Sequence, residues 1–122
     1  MTPQILVMIL VQSVGAGLGG YALFLWFKKA RKPTVIGFHV VAGLAGIETL
    51  AANIHLSAFA ADSPVRALGI LALEFFALSV LTGVVAALVG KQRPQLANVL
   101  LAIHVGSGVL ALFTALSFAR AA

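Results

Sequence analysis

His39 and His104 stand in matching surroundings. Each opens the pattern His-Val-x-x-Gly, as His39-Val40-Val41-Ala42-Gly43 and His104-Val105-Gly106-Ser107-Gly108. Each also lies inside a long apolar run, where an ionisable side chain is costly and marks a candidate functional site. A pair of imidazoles borne on helices can ligate a porphyrin metal from opposite sides of the ring, and helix cores supply such ligands. At about 100° per residue, Gly43 and Gly46 fall near the His39 face of their helix, and Gly108 and Ala111 near that of His104. Small residues beside a ligand leave room for a flat macrocycle. Small-xxx-small faces are equally an ordinary packing device of membrane helices, so both uses stay open for these glycines.

A second polar group comprises Glu48, His55 and Glu74. Glu48 and His55 are seven residues apart and share a helix face, about 180° from His39. Three chemistries fit this group: a proton-handling or quinone-binding pocket, structural hydrogen bonding or subunit-interface contact, and carboxylate–histidine metal ligation. Gln12, Asn53, Asn98 and Thr114 read as interhelical hydrogen bonds. Nothing supports hydrolysis or group transfer, since His-Glu-x-x-His and phosphate-binding glycine motifs are missing. The chain has no cysteine, which removes disulfides, thiolate metal sites and thiol catalysis.

The elements that must position these residues follow from composition. Of 122 residues, 61% are hydrophobic and 9% charged, against about 25% charged in soluble domains. A water-soluble globule is excluded, and so is disorder. Four apolar stretches, at about residues 5–27, 35–56, 67–89 and 96–118, are long enough to cross a bilayer core of about 30 Å. Proline closes each connection, at Pro33, Pro64 and Pro94. The expected fold is therefore all-α: an integral membrane, up-down four-helix bundle, with residues 1–122 forming one transmembrane domain.

Lys28, Lys29, Arg31, Lys32, Lys91 and Arg93, six of the eight basic residues, lie in the first and third connections. By the positive-inside rule both connections are cytoplasmic and both termini lie on the non-cytoplasmic side. The net charge of +5 is then a topology signal, and no nucleic-acid partner is implied. The first span lacks the basic n-region of a signal peptide and reads as a retained helix. Trp26 and Tyr21 fit an interfacial belt, and Phe75, Phe76, Phe113 and Phe118 read as lipid contacts or packing. Such a layout suits a prokaryotic plasma membrane.

Each half of the chain has a span, a basic turn ending in proline, and a second span with His-Val-x-x-Gly. This suggests a parallel two-helix repeat. His39 is six residues past Pro33 and His104 is ten past Pro94, an offset of about one helical turn, or roughly 6 Å.

With these motifs and four spans, the chain resembles small four-helix membrane b-type cytochromes, in which same-direction helices donate histidines to heme. The resemblance implies heme b with His39 and His104 as axial ligands to the iron. Gly43 and Gly108 would make room beside them. It further implies an electron-transfer subunit that exchanges electrons with a quinone or a partner redox complex, surrounded by other membrane subunits and the lipid bilayer. Diheme relatives use a second histidine pair from helices of the other direction. Spans one and three hold no histidine, so a second heme of that kind is not expected. Two alternatives keep the same architecture: a chlorophyll-binding subunit with histidine on magnesium, and a cofactor-free accessory or structural subunit. A small proton-coupled transporter is a further reading, although the first span carries no acid.

Overall fold

A computed structural model describes residues 2–122, and these are all-helical apart from turns. The elements are α1 (Pro3–Phe27), α2 (Pro33–Leu56), α3 (Pro64–Val89) and α4 (Pro94–Ala121). All four are long and apolar enough to cross a membrane. Their 24 to 28 residues correspond to about 36–42 Å of helix.

Each helix begins at its proline, two or three residues before the start that the apolar runs suggest. The reason is local. Proline lacks an N–H that the first turn could not use, and its fixed φ is already helical. The first turns are too polar to register as membrane-spanning, yet they are helical. At the other end α4 continues to Ala121, past Phe118. Thr2 caps α1 by accepting a hydrogen bond from the Ile5 N–H at 3.3 Å. Thr2→Ala is expected to cost about 0.5–1 kcal/mol and to fray the first turn, read as faster amide exchange at Ile5. Unchanged exchange there would show that the cap contributes nothing.

The chain divides into two compact units, Met1–Ser57 and Ala58–Ala122. The first is a hairpin of α1 and α2. Its seam on α1 runs through Ile5, Met8, Gln12, Gly15 and Gly19, alternating steps of three and four. On α2 it runs through His39, Gly46 and Asn53 at steps of seven, with Leu50 between. This is the spacing that keeps two antiparallel helices facing each other along their length. Asn53 crosses the seam, donating from Nδ2 to the Gln4 carbonyl at 3.3 Å and to Thr49 in its own helix at 2.8 Å.

The second unit is a hairpin of α3 and α4. Gly69, Ala72, Ser79 and Ala86 of α3 face Ala97, His104, Ala111 and Phe118 of α4, the latter again at steps of seven. Phe118 is fully buried and meets Phe59 of the preceding connection edge-on, with ring centroids 6.1 Å apart.

The α3–α4 seam is built mainly of glycine, alanine, serine and threonine, whereas the α1–α2 seam mixes glycines with Ile5, Met8, Gln12, Leu50 and Asn53. Many large apolar side chains point outward, among them Phe24, Phe27, Phe38, Leu88 and Phe113, each more than half exposed. Water would invert this distribution. Lipid permits it, because tails are as apolar as leucine and helices associate by close backbone packing and hydrogen bonds. Burial in each hairpin is therefore that of a membrane protein.

Candidate functional site

Each hairpin seats its histidine in the same way. His39 Nδ1 lies 2.9 Å from the Gly15 carbonyl oxygen of α1. His104 Nδ1 lies 2.7 Å from the Ser79 carbonyl oxygen of α3. A carbonyl can only accept, so Nδ1 carries the hydrogen in both rings, and in the neutral form of each ring the lone pair lies on Nε2. Four residues beyond each acceptor is a glycine that the ring covers. A Cβ on Gly19 would come within 2.7 Å of His39 Cε1, and one on Gly83 within 2.6 Å of His104 Nδ1. Gly15-x-x-x-Gly19 and Ser79-x-x-x-Gly83 are thus equivalent seats: a carbonyl fixes the ring nitrogen and a missing side chain admits the ring.

The two seats differ at one side chain. Ser79 Oγ donates to the His104 carbonyl at 3.0 Å and lies 3.1 Å from His104 Nδ1, whereas Gly15 has no side chain to do either. The hydroxyl bond ties α3 to α4 directly behind the imidazole. Gly108 lies against this hydroxyl, and a Cβ there would approach Ser79 Oγ to 3.1 Å. Gly108 therefore permits close approach of α3. Gly43 is different, because a Cβ there would meet nothing within 4 Å. Gly46 packs toward Gln12 Cγ.

The one-turn offset between the histidines shrinks when both arms of each hairpin are considered. His39 is six residues after the start of α2, but its acceptor Gly15 is twelve before the end of α1. His104 is ten after the start of α4, and Ser79 is ten before the end of α3. Averaged over its arms, each crossing lies nine or ten residues from the turn of its own hairpin, a difference of about 1.5 Å. The larger offset arises because α4 starts a turn earlier.

Glu48, His55 and Glu74 are all exposed, on the outward sides of their own hairpins. Glu48 and His55 share a face of α2, as their spacing requires, but two turns separate them by about 10 Å. Among the described residues no three His, Cys, Asp or Glu side chains gather into a metal-binding group, so the metal-ligand reading of this polar group gains no support.

Of the four expected interhelical hydrogen bonds, Asn53 forms one. Thr114 instead bonds the Leu110 carbonyl of its own helix at 2.7 Å, and Asn98 is exposed. Gln12 is buried in the α1–α2 seam, yet neither its Nε2 nor its Oε1 has a hydrogen-bond partner among the described residues. Sequence reasoning singled out both histidines but missed Gly15 and Gly19, and Ser79 and Gly83, as their seats. The signal was present as a small-xxx-small step 20 to 25 residues before each histidine.

No family model, curated protein or solved structure matches the chain.

Proposed function

We propose that the protein is a membrane heme-binding electron-transfer subunit in which His39 and His104 present Nε2 to iron. The observation that carries this reading is the repeated seat, in which Nδ1 of each imidazole is bound to a main-chain carbonyl of the preceding helix. Metal-ligating histidines characteristically donate their other ring N–H to a carbonyl or carboxylate, which fixes the tautomer and orients the ring. A purely structural histidine needs no such repetition at Gly15 and Ser79 with a glycine one turn further on.

The donor set fits heme b: two imidazoles, no cysteine and no methionine on the histidine-bearing helices. When bound, heme supplies a one-electron ferric–ferrous couple. The chain's part is to hold each ring against its carbonyl, raise the basicity of Nε2 through that bond, and keep the surroundings apolar. Electrons would pass to a quinone or a partner redox complex. Glu48, Glu74 and His55, outward on their hairpins, are the groups available to such a partner for hydrogen bonding or proton exchange. In this proposal both termini lie outside the cytoplasm of a prokaryotic cell, the four helices run up and down, and the two hairpins are copies of one ancestral unit. The cation-rich first and third connections support that orientation.

The test is a reduced-minus-oxidised visible spectrum of the purified protein and its pigment content per chain. A b-type spectrum is expected, and His39→Ala and His104→Ala should each lose half or more of the pigment. Full retention in both variants would overturn the ligand assignment. Red absorption in place of b-type bands would favour chlorophyll. A colourless protein would favour the cofactor-free accessory subunit.

A further inference from the structure

We propose that the turn between α1 and α2 is a binding site for the phosphate group of an anionic membrane lipid. Lys28, Lys29, Arg31 and Lys32 place four cations within five residues, all exposed. The sequence has no acidic residue before Glu48, well up α2, to neutralise them. Membrane topology accounts for a bias of charge in such a turn. It does not account for how two of these cations are held.

Arg31 is stacked on Trp26, its Cζ 4.1 Å from the ring centroid. Lys28 Nζ stands 5.7 Å over the Phe24 ring. Both cation–π contacts found among the described residues fall in this turn. A guanidinium with one face against an indole keeps its N–H edge for hydrogen bonding, and that edge matches two oxygens of a phosphate. Tryptophan at a helix end sits at the depth of lipid headgroups, so the stack presents the guanidinium there.

The backbone contributes as well. The Ala30 N–H bonds the Leu25 carbonyl at 2.9 Å and the Lys29 N–H bonds that of Trp26 at 3.0 Å, closing α1 in a tight cap. Lys29 takes the left-handed conformation this cap requires, with φ 53°. Glycine is the residue that adopts it without strain, yet a cation occupies the position. Beyond the turn, α2 starts with no side-chain cap and no acid in its first turn, so its positive end faces the same region. Four cations, two of them held over aromatic rings, lie in one turn with a helix N-terminus, where phosphodiesters are densest. The α3–α4 turn has two cations, Lys91 and Arg93.

Trp26 is the sole tryptophan, so its fluorescence reports on this turn alone. The experiment places the protein in phosphatidylcholine vesicles containing a small, equal fraction of brominated phosphatidylglycerol or of brominated phosphatidylcholine. The anionic quencher is expected to quench Trp26 several-fold more effectively. Each cation removed, as in Arg31→Gln or Lys32→Gln, should lower the affinity for the anionic headgroup about five-fold and bring the two lipids close to equal quenching. Lys91→Gln with Arg93→Gln should leave it intact.

Rising ionic strength should erode the preference of the unaltered protein, which needs no variant to fold or insert correctly. Lys29→Gly should weaken the preference while raising thermal stability, since the two effects have different origins. Equal quenching by the two lipids would overturn the proposal. Loss of the preference on adding inorganic phosphate at constant ionic strength would overturn the lipid assignment in favour of a soluble phosphate. Bound heme would lower Trp26 emission in both lipids alike, so the ratio between them tests the proposal separately from the redox reading.

Discussion

Replacing Gly83 with alanine is expected to destabilise the second hairpin by about 1–3 kcal/mol, although alanine is the better helix former. The new Cβ would lie 2.6 Å from Nδ1 and 2.8 Å from Cε1 of His104. Because Nδ1 is bonded to the Ser79 carbonyl at 2.7 Å, the ring cannot move aside without giving up that bond. In lipid such a bond contributes about 0.6–1.7 kcal/mol. The prediction becomes sharp in a double-mutant cycle. With His104→Ala already present, Gly83→Ala meets no ring and should be neutral or stabilising by up to about 1 kcal/mol. The sign of the effect therefore reverses with the histidine. Gly19→Ala should behave likewise toward His39, whose Cε1 would be 2.7 Å away. Reversible unfolding in mixed detergent micelles would measure both cycles. Stabilisation by Gly83→Ala in the otherwise unaltered protein would mean that the imidazole is not seated on that glycine.

Gln12→Met is expected to stabilise the first hairpin by about 1 kcal/mol or more. Gln12 is 5% exposed and its amide nitrogen and oxygen have no partner in the seam. Burying an amide without hydrogen bonds costs about 1–3 kcal/mol by mutational measures. Methionine is unbranched and of similar length, so it can fill the space beside Gly46 without the polar atoms. The same unfolding measurement applies. A loss of stability would show that the amide is bonded to something outside the chain. Asn53, one heptad step along on the facing helix, provides the contrast: its amide is paired across the seam, and removing it should destabilise.

These expectations rest on features that the sequence carried to different degrees. The four helices were legible because a bilayer demands long apolar runs, and proline marks where each begins. Helix ends were less so, because a polar first turn is helical without being hydrophobic. His39 and His104 stood out by type and by their shared Val-x-x-Gly context. Their partners did not. Gly15 and Ser79 act through main-chain oxygens, which leave no mark on residue identity. Gly19 and Gly83 act through an absent side chain, which reads the same as any packing glycine. Gly108 is instructive in the other direction: it was legible as a small residue one turn beyond His104, and it lies against the Ser79 hydroxyl in the helix seam. Glu48 and Glu74 were legible as costly charges, and the structure puts both on outward faces of their hairpins, where a sequence alone assigns no neighbour.

The locality of the seams bears on how the chain is made. His39 reaches back 24 residues to Gly15, His104 reaches back 25 to Ser79, and Asn53 reaches back 49 to Gln4. Every seam contact of the first hairpin is therefore available once Ser57 has been synthesised, before α3 begins at Pro64. Pairings between neighbouring helices close small loops and form early. The first histidine would thus be locked onto its carbonyl while the second had not yet been translated. Assembly of this protein is then an ordered delivery of two finished hairpins, and any ligand requiring both imidazoles would have to wait for the second.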